Sequence, residues 1–377
     1  MTNKQRFLTA MTGGTPDCVP CAPDFSNMIP AKRTGKPFWD LYLHQDPPLW
    51  RAYLDAARYF GIDAWFMYAS FAVEPSPDVE SCSEIVHRTD ERLVQRTTFR
   101  TPKGDLWNET TFYRADPPTQ TRKLIKHPEE DIPKLQYLLL PPERYDRGEW
   151  DAQREAVGDL GIFGPTVGIP GLHVANEWFD GNLTAATYAM VDYPALVDQL
   201  MEWYLEQCRR YLEFYLREQP DFVLLGASGL LTLQSPATFA RWSLPTVAEF
   251  TRALRHAGIP SMLHACGKQR LLVDAFVEHT DLDCVNPLEM APMGDCDLRE
   301  VKQAVGNRIA LMGNLHTTRT MLHGTPDEVE AAALDALSAA RGGGGFIMST
   351  GDQCGRDTPE ENLFRLGEVT RSAGQYR

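Results

Sequence analysis

Apolar strands and helical segments alternate at short intervals from residue 221 to the carboxyl terminus. Strands are predicted at residues 221–226, 261–265, 283–288, 309–312 and 345–349, with a helix after each. This alternation indicates βαβ units around a parallel sheet. Earlier apolar runs at 19–25, 63–70 and 161–167 raise the count to about eight strands, the number that closes a (β/α)8 TIM barrel. An open doubly wound sheet is the alternative, but no strand is followed by the G-x-G-x-x-G turn of a dinucleotide site.

One stretch between the second and third predicted strands breaks this pattern. Residues 79–113 alternate polar and apolar side chains around a turn from Pro102 to Gly104. Such alternation is typical of antiparallel strands with one solvated face. We therefore predict a single α/β barrel domain over residues 1–377, with an antiparallel hairpin inserted in its amino-terminal half. The hairpin would cover the mouth of the barrel or bind a partner.

Charge and composition exclude several classes of partner. The formal net charge is -14, and nucleic acid is bound chiefly by Lys and Arg, so no nucleic-acid partner is expected. Residues 1–15 hold no apolar core of signal-peptide length, and no stretch approaches the roughly 20 apolar residues that cross a bilayer. We expect a cytoplasmic protein without a membrane partner. Its 8 cysteines are spread along the chain, which predicts reduced thiols rather than a disulfide scaffold.

Side chains suited to a metal follow the predicted strands. His264 and Cys266 end the fifth strand two residues apart, so their side chains would point the same way. Glu289 follows the sixth strand, and Asp352 and Cys354 follow the eighth. Working residues of such barrels lie at the carboxyl ends of the strands, and zinc accepts both imidazole and thiolate ligands. We predict a catalytic zinc on His264, Cys266 and Cys354, with Glu289 or Asp352 as fourth ligand or proton donor.

The alternative for the first pair is a core thiol beside a hydrogen-bonded histidine. Cys296 is the substitute ligand if Cys354 does not bind the metal. Asn314 and His316, after the seventh strand, are predicted either to contact substrate or to cap the loop and support the ligands. Four aromatic residues near strand ends would line a pocket for an aryl group or serve as ordinary packing. They are Phe25, Tyr68, Trp178 and Phe179.

Several stretches resemble a known family. These are HACG, NPLEMAPMGDCDLREVKQAVGNRIALMGNL, HGTPDEVEAAALDAL, GGGFIMSTGDQCG, DTPEEN and the opening KQRFLTAMTGGTPDCVP. They look like the uroporphyrinogen decarboxylase superfamily, specifically its cobalamin-dependent methyltransferase branch, and the resemblance covers most of the chain. It implies zinc on His264, Cys266 and Cys354. The form GDQCGRDTP is most similar to enzymes that demethylate methoxylated compounds, including aromatic methyl ethers.

Two departures refine what the resemblance implies. Uroporphyrinogen decarboxylases carry an arginine-rich MRQAGR-like segment, whereas this chain reads PDFSNMIPAKRTGKPFWD there, which argues against a tetrapyrrole substrate. The chain also lacks a D-x-H-x-x-G cobalamin-ligating motif, so a separate corrinoid protein would carry the cobalamin. The expected function is zinc-dependent transfer of a methyl group from a small methoxylated, aromatic substrate to that cobalt.

Three alternatives stay open. They are a corrinoid-to-thiol methyltransferase of the coenzyme M type, a zinc-free decarboxylase-like enzyme, and a non-catalytic partner of a corrinoid protein. The sequence leaves the oligomeric state open.

Overall fold

Eight strand segments close into a parallel barrel in the computed structural model, which describes residues 1–376. The strands of the chain are β1 (Ala64–Phe66), β2 (Ala72–Val73), β3 (Glu80–Arg88), β4 (Arg92–Thr101), β5 (Gly104–Tyr113), β6 (Thr119–Arg122), β7 (Tyr145–Asp146), β8 (Gly161–Phe163), β9 (Thr166–Gly168), β10 (Val223–Gly226), β11 (Ser261–His264), β12 (Cys284–Asn286), β13 (Ala310–Leu315) and β14 (Phe346–Thr350). The parallel order is β14, β13, β12, β11, β10, β9, and β1 pairs with β8. The predicted (β/α)8 fold is confirmed.

The ring closes through the first predicted strand. The backbone N of Ala22 donates to the carbonyl of Met348, and that of Asp63 donates to the carbonyl of Cys21, both at 2.9 Å. The segment 19–25 therefore stands between β14 and β1. On the other side of β1, β8 and β9 follow one another along the chain and together form the third strand of the barrel. The last strand and the first are thus neighbours in space although they are the ends of the sequence.

Helices cover the outside of the ring. They are α1 (Asn3–Met11), α2 (Met28–Arg33), α3 (Phe38–Tyr42), α4 (Leu49–Phe60), α5 (Pro128–Leu135), α6 (Gly148–Val157), α7 (Leu172–Ala175), α8 (Asn182–Asp192), α9 (Pro194–Glu218), α10 (Pro236–Thr238), α11 (Leu244–His256), α12 (Arg270–His279), α13 (Leu298–Val305), α14 (Pro326–Ala340) and α15 (Glu360–Ala373), with wider turns at Phe239–Ser243 and Thr317–Leu322. Across residues 1–376, no helix combines the length and the apolar character that a bilayer crossing needs.

Local sequence explains where such helices begin. The N of Glu328 donates to the Thr325 hydroxyl at 3.3 Å, and the N of Thr325 donates to the Glu328 carboxylate at 2.7 Å, which is a capping box at the start of α14. Pro326 occupies the first turn, where its missing N–H costs no helical hydrogen bond. The start of α14 is thus stabilised by residues close in sequence.

The barrel interior is closed at its amino end and leaves the other end free for a site. Trp65, Leu224 and Met262 share one buried cluster with Phe7 and Met11 of α1. Because side chains alternate along a strand, the remaining strand residues face the surrounding helices instead. The α1 helix packs where the strands begin, so the polar side chains that follow the strands gather at the opposite, carboxyl end.

The insertion is larger than the predicted hairpin. Strands β3, β4, β5 and β6 form a four-stranded antiparallel sheet in that order, which spans residues 80–122 rather than 79–113. The predicted turn at Pro102 to Gly104 joins β4 to β5. Leu106 of this sheet packs with Ile125, Phe179 and Leu200 in a buried cluster separate from the barrel core.

Candidate functional site

A cavity of about 560 Å³ opens at the carboxyl end of the barrel. Its walls include Gly226 at the end of β10, Cys266 after β11, Glu289 after β12 and Asp352 after β14. Active sites of (β/α)8 barrels lie at this end, because the loops that follow the strands converge there. Three of the predicted site residues therefore share one cavity.

His264 ends β11, and a hydrogen bond fixes its ring. Its Nδ1 lies 2.6 Å from Oδ1 of Asn286. Nδ2 of Asn286 donates to the Met312 carbonyl at 3.4 Å, so the amide oxygen is the atom that faces His264. An amide oxygen can only accept, and therefore Nδ1 of His264 carries the proton. The other nitrogen, Nε2, faces Asp352, whose Oδ1 lies 3.8 Å away.

His264 and two carboxyl groups form a cluster of possible metal ligands. Ligand atoms of Asp24, His264 and Asp352 all lie within 4.8 Å of one another. Burial lowers the pKa of His264, but the neighbouring Cys266 and the carboxylates of Asp24 and Asp352 outweigh it and raise the pKa to about 9. Burial raises the pKa of the Asp24 carboxyl. This arrangement can hold a cation, which would replace the imidazole proton.

Asp24 was absent from the sequence prediction. It ends the first predicted strand, and that strand lies beside β14 in the closed ring. The other candidate residues were selected because they follow a strand at the carboxyl end of the barrel, and the same rule applies to Asp24.

The two predicted thiol ligands occupy different positions. Cys266 is half-buried and lines the cavity beside His264. Cys354 is fully buried, its backbone N donates to the Asp24 carbonyl at 2.7 Å, and burial raises the pKa of its thiol to about 12. Within the described chain, neither sulfur belongs to the group of atoms that lie within 4.8 Å of one another. The structure thus brings His264 to two carboxylates, with Cys266 next to it and Cys354 linked through Asp24.

The donor set fits zinc. Imidazole, thiol and carboxylate are the side chains that zinc takes, and zinc binding deprotonates a thiol whose pKa is otherwise high. The hydrogen bond from His264 to Asn286 is the kind of support that orients a metal-binding imidazole. His264, Cys266 and Cys354 remain the predicted ligand set, and the structure places the carboxylates of Asp24 and Asp352 beside His264.

Glu289 is held in place by its own loop. It is 6% exposed, its carboxylate accepts a hydrogen bond from the N of Gly267, and burial raises its pKa. The preceding Leu288 has a left-handed backbone with φ of 60°. Gln269 accepts from the N of Leu288 at 2.5 Å, and Asn314 donates to the carbonyl of Leu288 at 2.9 Å. Asn314 therefore braces the loop that carries Glu289.

The remaining predicted pocket residues lie in other environments. His316 accepts from the N atoms of Thr318 and Arg319 at 3.2 and 3.1 Å, and so caps the turn that follows β13. Phe25 is fully buried against Tyr53, with ring centroids 5.7 Å apart. Tyr68 packs on Phe66, Trp178 packs on Tyr204, and Phe179 belongs to the cluster beneath the insertion. Along the described chain, none of the four aromatic residues lines the 560 Å³ cavity.

The protein thus belongs to the class of (β/α)8 barrels that carry their site at the carboxyl end, here a cavity beside a group of side chains that can hold a cation. Residues 181–373, more than half of the chain, match the uroporphyrinogen decarboxylase (URO-D) family. The chain belongs to this family, which confirms the resemblance seen in its sequence.

Two of the relatives are methyltransferases. The chain is 22% identical over 218 residues to methylcobamide:CoM methyltransferase MtbA of Methanosarcina mazei, over 57% of this chain and 59% of that protein. It is 24% identical over 194 residues to the methylated-thiol–coenzyme M methyltransferase of the same organism, over 48% of this chain and 50% of the relative. The chain thus matches between half and three-fifths of the length of these relatives. A solved methyltransferase from Methanosarcina mazei has the same fold, with a TM-score of 0.66, 19% identity and 99% coverage of both chains.

Proposed function

We propose that this protein is a zinc-dependent methyltransferase. It would move a methyl group from a methoxylated, aromatic substrate to the cobalt of cobalamin on a separate corrinoid protein. His264, Cys266 and Cys354 would hold the zinc. When bound, zinc supplies Lewis acidity that makes the ether oxygen a better leaving group, and the reduced corrinoid accepts the methyl group. Family membership and the methyltransferases among the relatives support this proposal.

The chain's own residues have distinct roles in this scheme. Asn286 holds His264 so that Nε2 faces the site. Glu289 is buried on the cavity wall, and burial raises its pKa, which favours the protonated carboxyl that would deliver a proton to the departing oxygen. Asp352 lies at the same wall and can complete the ligand set or orient it.

The charge of the cavity wall is the observation that favours one class of substrate. Its wall contains the carboxyl groups of Glu177, Glu289 and Asp352, and none of the wall residues identified within 1–376 is Lys or Arg. An anion bound away from the zinc would meet these like charges with no cationic side chain among the wall residues, which disfavours it. Coenzyme M is a sulfonate and uroporphyrinogen carries carboxylates, whereas an aryl methyl ether can be neutral. The acidic wall therefore favours a neutral methyl donor.

Corrinoid-to-thiol transfer is the second candidate, since the names of both relatives specify coenzyme M. A thiol acceptor would use the same zinc, with methyl transfer in the opposite direction. Decarboxylase-like chemistry has the family membership as its support but lacks cationic groups for carboxylates in the cavity described here.

The first experiment measures zinc content in the parent, Cys354→Ser, Asp24→Asn and an exposed control, Cys82→Ser. We expect about one zinc per chain in the parent and the control, and loss in Cys354→Ser. Loss in Asp24→Asn alone would replace Cys354 with Asp24 in the ligand set. A parent that binds no zinc would contradict the proposed mechanism.

The second experiment compares the two directions. The zinc-loaded parent is mixed with 2-methoxyphenol and a reduced corrinoid protein, or with a methylated corrinoid protein and coenzyme M, and the cobalt spectrum is followed. We expect methylation of cobalt by the ether. Demethylation by coenzyme M without reaction of the ether would select the second candidate.

A further inference from the structure

Hydrogen bonds join the loops that follow the first and the last strands of the barrel. Oγ1 of Thr350 accepts from the backbone N of Asp24 at 3.0 Å and donates to the carbonyl of Asp352 at 2.7 Å. Nε2 of Gln353 donates to Oγ of Ser26. Gln353 directly follows Asp352 in the chain, and Ser26 comes two positions after the other carboxyl residue. These contacts therefore connect the two loops that supply carboxyl groups to the cluster of possible metal ligands.

The backbone of Asp352 has an unusual conformation. Its φ is 154°, a positive value that residues with a side chain rarely adopt. Such a conformation persists only where the surrounding structure holds it. Thr350 holds the carbonyl of Asp352, and Ser26 holds the next residue, Gln353. The two contacts fix the backbone where the Asp352 side chain leaves it, and Oδ1 of that side chain lies 3.8 Å from Nε2 of His264.

Ser26 also contacts the second carboxyl group of the cluster. Its backbone N donates to Oδ1 of Asp24 at 3.0 Å, and Asp24 is buried. Ser26 thus reaches Asp24 through its backbone and Gln353 through its hydroxyl. Because the two contacts use different atoms, a substitution of the side chain removes the second and keeps the first.

The hydrogen bond between Ser26 and Gln353 opposes a repulsion within the cluster. The carboxyl groups of Asp24 and Asp352 have oxygens within 4.8 Å of each other, and like charges at that distance repel. A loop free to move would carry Asp352 away from Asp24 until a cation arrived. A scaffold that holds both groups together beforehand leaves less rearrangement for the binding step, which raises affinity.

We propose that the hydrogen bond between Ser26 and Gln353 sets the spacing of the two carboxyl groups and thereby the affinity of the site for zinc. This inference rests on the proposed function, which supplies zinc as the ion, and it deepens that function by giving both carboxyl groups a place beside the metal. Ser26 and Gln353 are positioning residues. Along the described chain, neither belongs to the cavity wall or to the cluster, so both act through Asp24 and Asp352.

The test is a double-mutant cycle on zinc affinity, measured by competition with a chelator at constant pH. The proteins are the parent, Ser26→Ala, Gln353→Ala and the variant with both substitutions. We expect each single variant to bind zinc about tenfold more weakly, as found when residues that support metal ligands are removed. The double variant should match the single variants within about twofold, because all three lack the same hydrogen bond.

Two further variants separate positioning from folding. Ser26→Thr keeps the hydroxyl that accepts from Gln353 and should bind zinc within about threefold of the parent. The control Ser83→Ala removes a hydroxyl that pairs with Thr97 at 2.9 Å in the inserted sheet and should leave zinc affinity unchanged. Each alanine variant loses one side-chain hydrogen bond, so its melting temperature should fall by no more than about 4 °C. If Ser26→Ala does not fold, Gln353→Ala tests the same contact from the other loop.

The outcomes are distinct from those of the methyl-transfer assay. Zinc affinity within about twofold of the parent in both single variants, or losses that add in the double variant, would overturn the role of this hydrogen bond. Zinc affinity that depends on Ser26 and Gln353 in a protein that fails to methylate cobalt would support the inference and reject the proposed reaction. Methylation of cobalt by a protein whose zinc affinity is independent of both residues would do the reverse.

Discussion

The hydrogen bond between Asn286 and His264 leads to a sharp test of the metal site. Asn286 is 0% exposed, and its Oδ1 lies 2.6 Å from Nδ1 of His264. In Asn286→Ala the ring loses the acceptor that selects its tautomer and direction. Loss of such support weakens metal affinity by about 10- to 100-fold, which is about 1.4 to 2.7 kcal/mol. We expect a fall in zinc affinity of this size.

The assay is competition for zinc with a chromogenic chelator at constant pH. A matched control is Asn362→Ala on α15, because Asn362 is also 0% exposed and its Nδ2 donates to the carbonyls of Met321 and Gly324 at 2.9 and 2.8 Å. Both variants should lose about 1 to 3 kcal/mol of unfolding free energy through the backbone or ring atoms left unpaired. Only the first should lose zinc affinity.

The conservative variant Asn286→Asp completes the test. A carboxylate still accepts from Nδ1 of His264 and makes the ring a stronger donor to a metal, so zinc affinity should equal or exceed that of the parent. Zinc affinity in Asn286→Ala within about twofold of the parent would refute the reasoning, since it would mean that His264 does not bind zinc through a fixed Nε2.

Three further predictions concern the stability of single-residue variants. Burial lowers the pKa of His173 in the folded protein to about 4, against 6.5 in the unfolded chain, so between these pH values the unfolded chain binds one proton more than the folded protein. The free energy of unfolding should therefore fall by about 3 kcal/mol as the pH drops from 6.5 to 4. Denaturant titrations of the parent and of His173→Phe at several pH values measure this fall, which the variant should lack. Gly161→Ala should prevent soluble expression or lower the melting temperature sharply, because a Cβ there would lie 1.8 Å from the Ala64 carbonyl oxygen; an unchanged melting temperature would contradict this contact. Gln269→Leu should cost about 1 to 3 kcal/mol in chemical denaturation, because it leaves the N of Leu288 without its 2.5 Å acceptor and removes one of the two donors to the carbonyl of Asn286; a loss below about 0.5 kcal/mol would contradict this role of Gln269.

The barrel could be predicted from the sequence because its signal is local. Buried parallel strands are short apolar runs, and the helices between them show their own periodicity and caps, so β10 to β14 and their order follow from residues 221–349. The positions of His264, Glu289 and Asp352 follow too, since each comes directly after an apolar run. These residues share the cavity or the cation-suited group that lies at the carboxyl end.

Other features depend on contacts between distant parts of the chain. Asp24 joins His264 and Asp352 only because the closed ring places the first strand beside the last, which brings together residues more than 300 positions apart.

Local pattern therefore determined which elements form and which side chains stand at their ends. Ring closure and the placement of hydrogen-bond partners decided the rest: Asn314 and His316 took backbone partners, and Asp24 and His173 came to lie at the site. The physical reason is that apolar periodicity is set by neighbours along the chain, whereas each buried donor or acceptor is satisfied by whichever partner the fold brings within hydrogen-bonding distance.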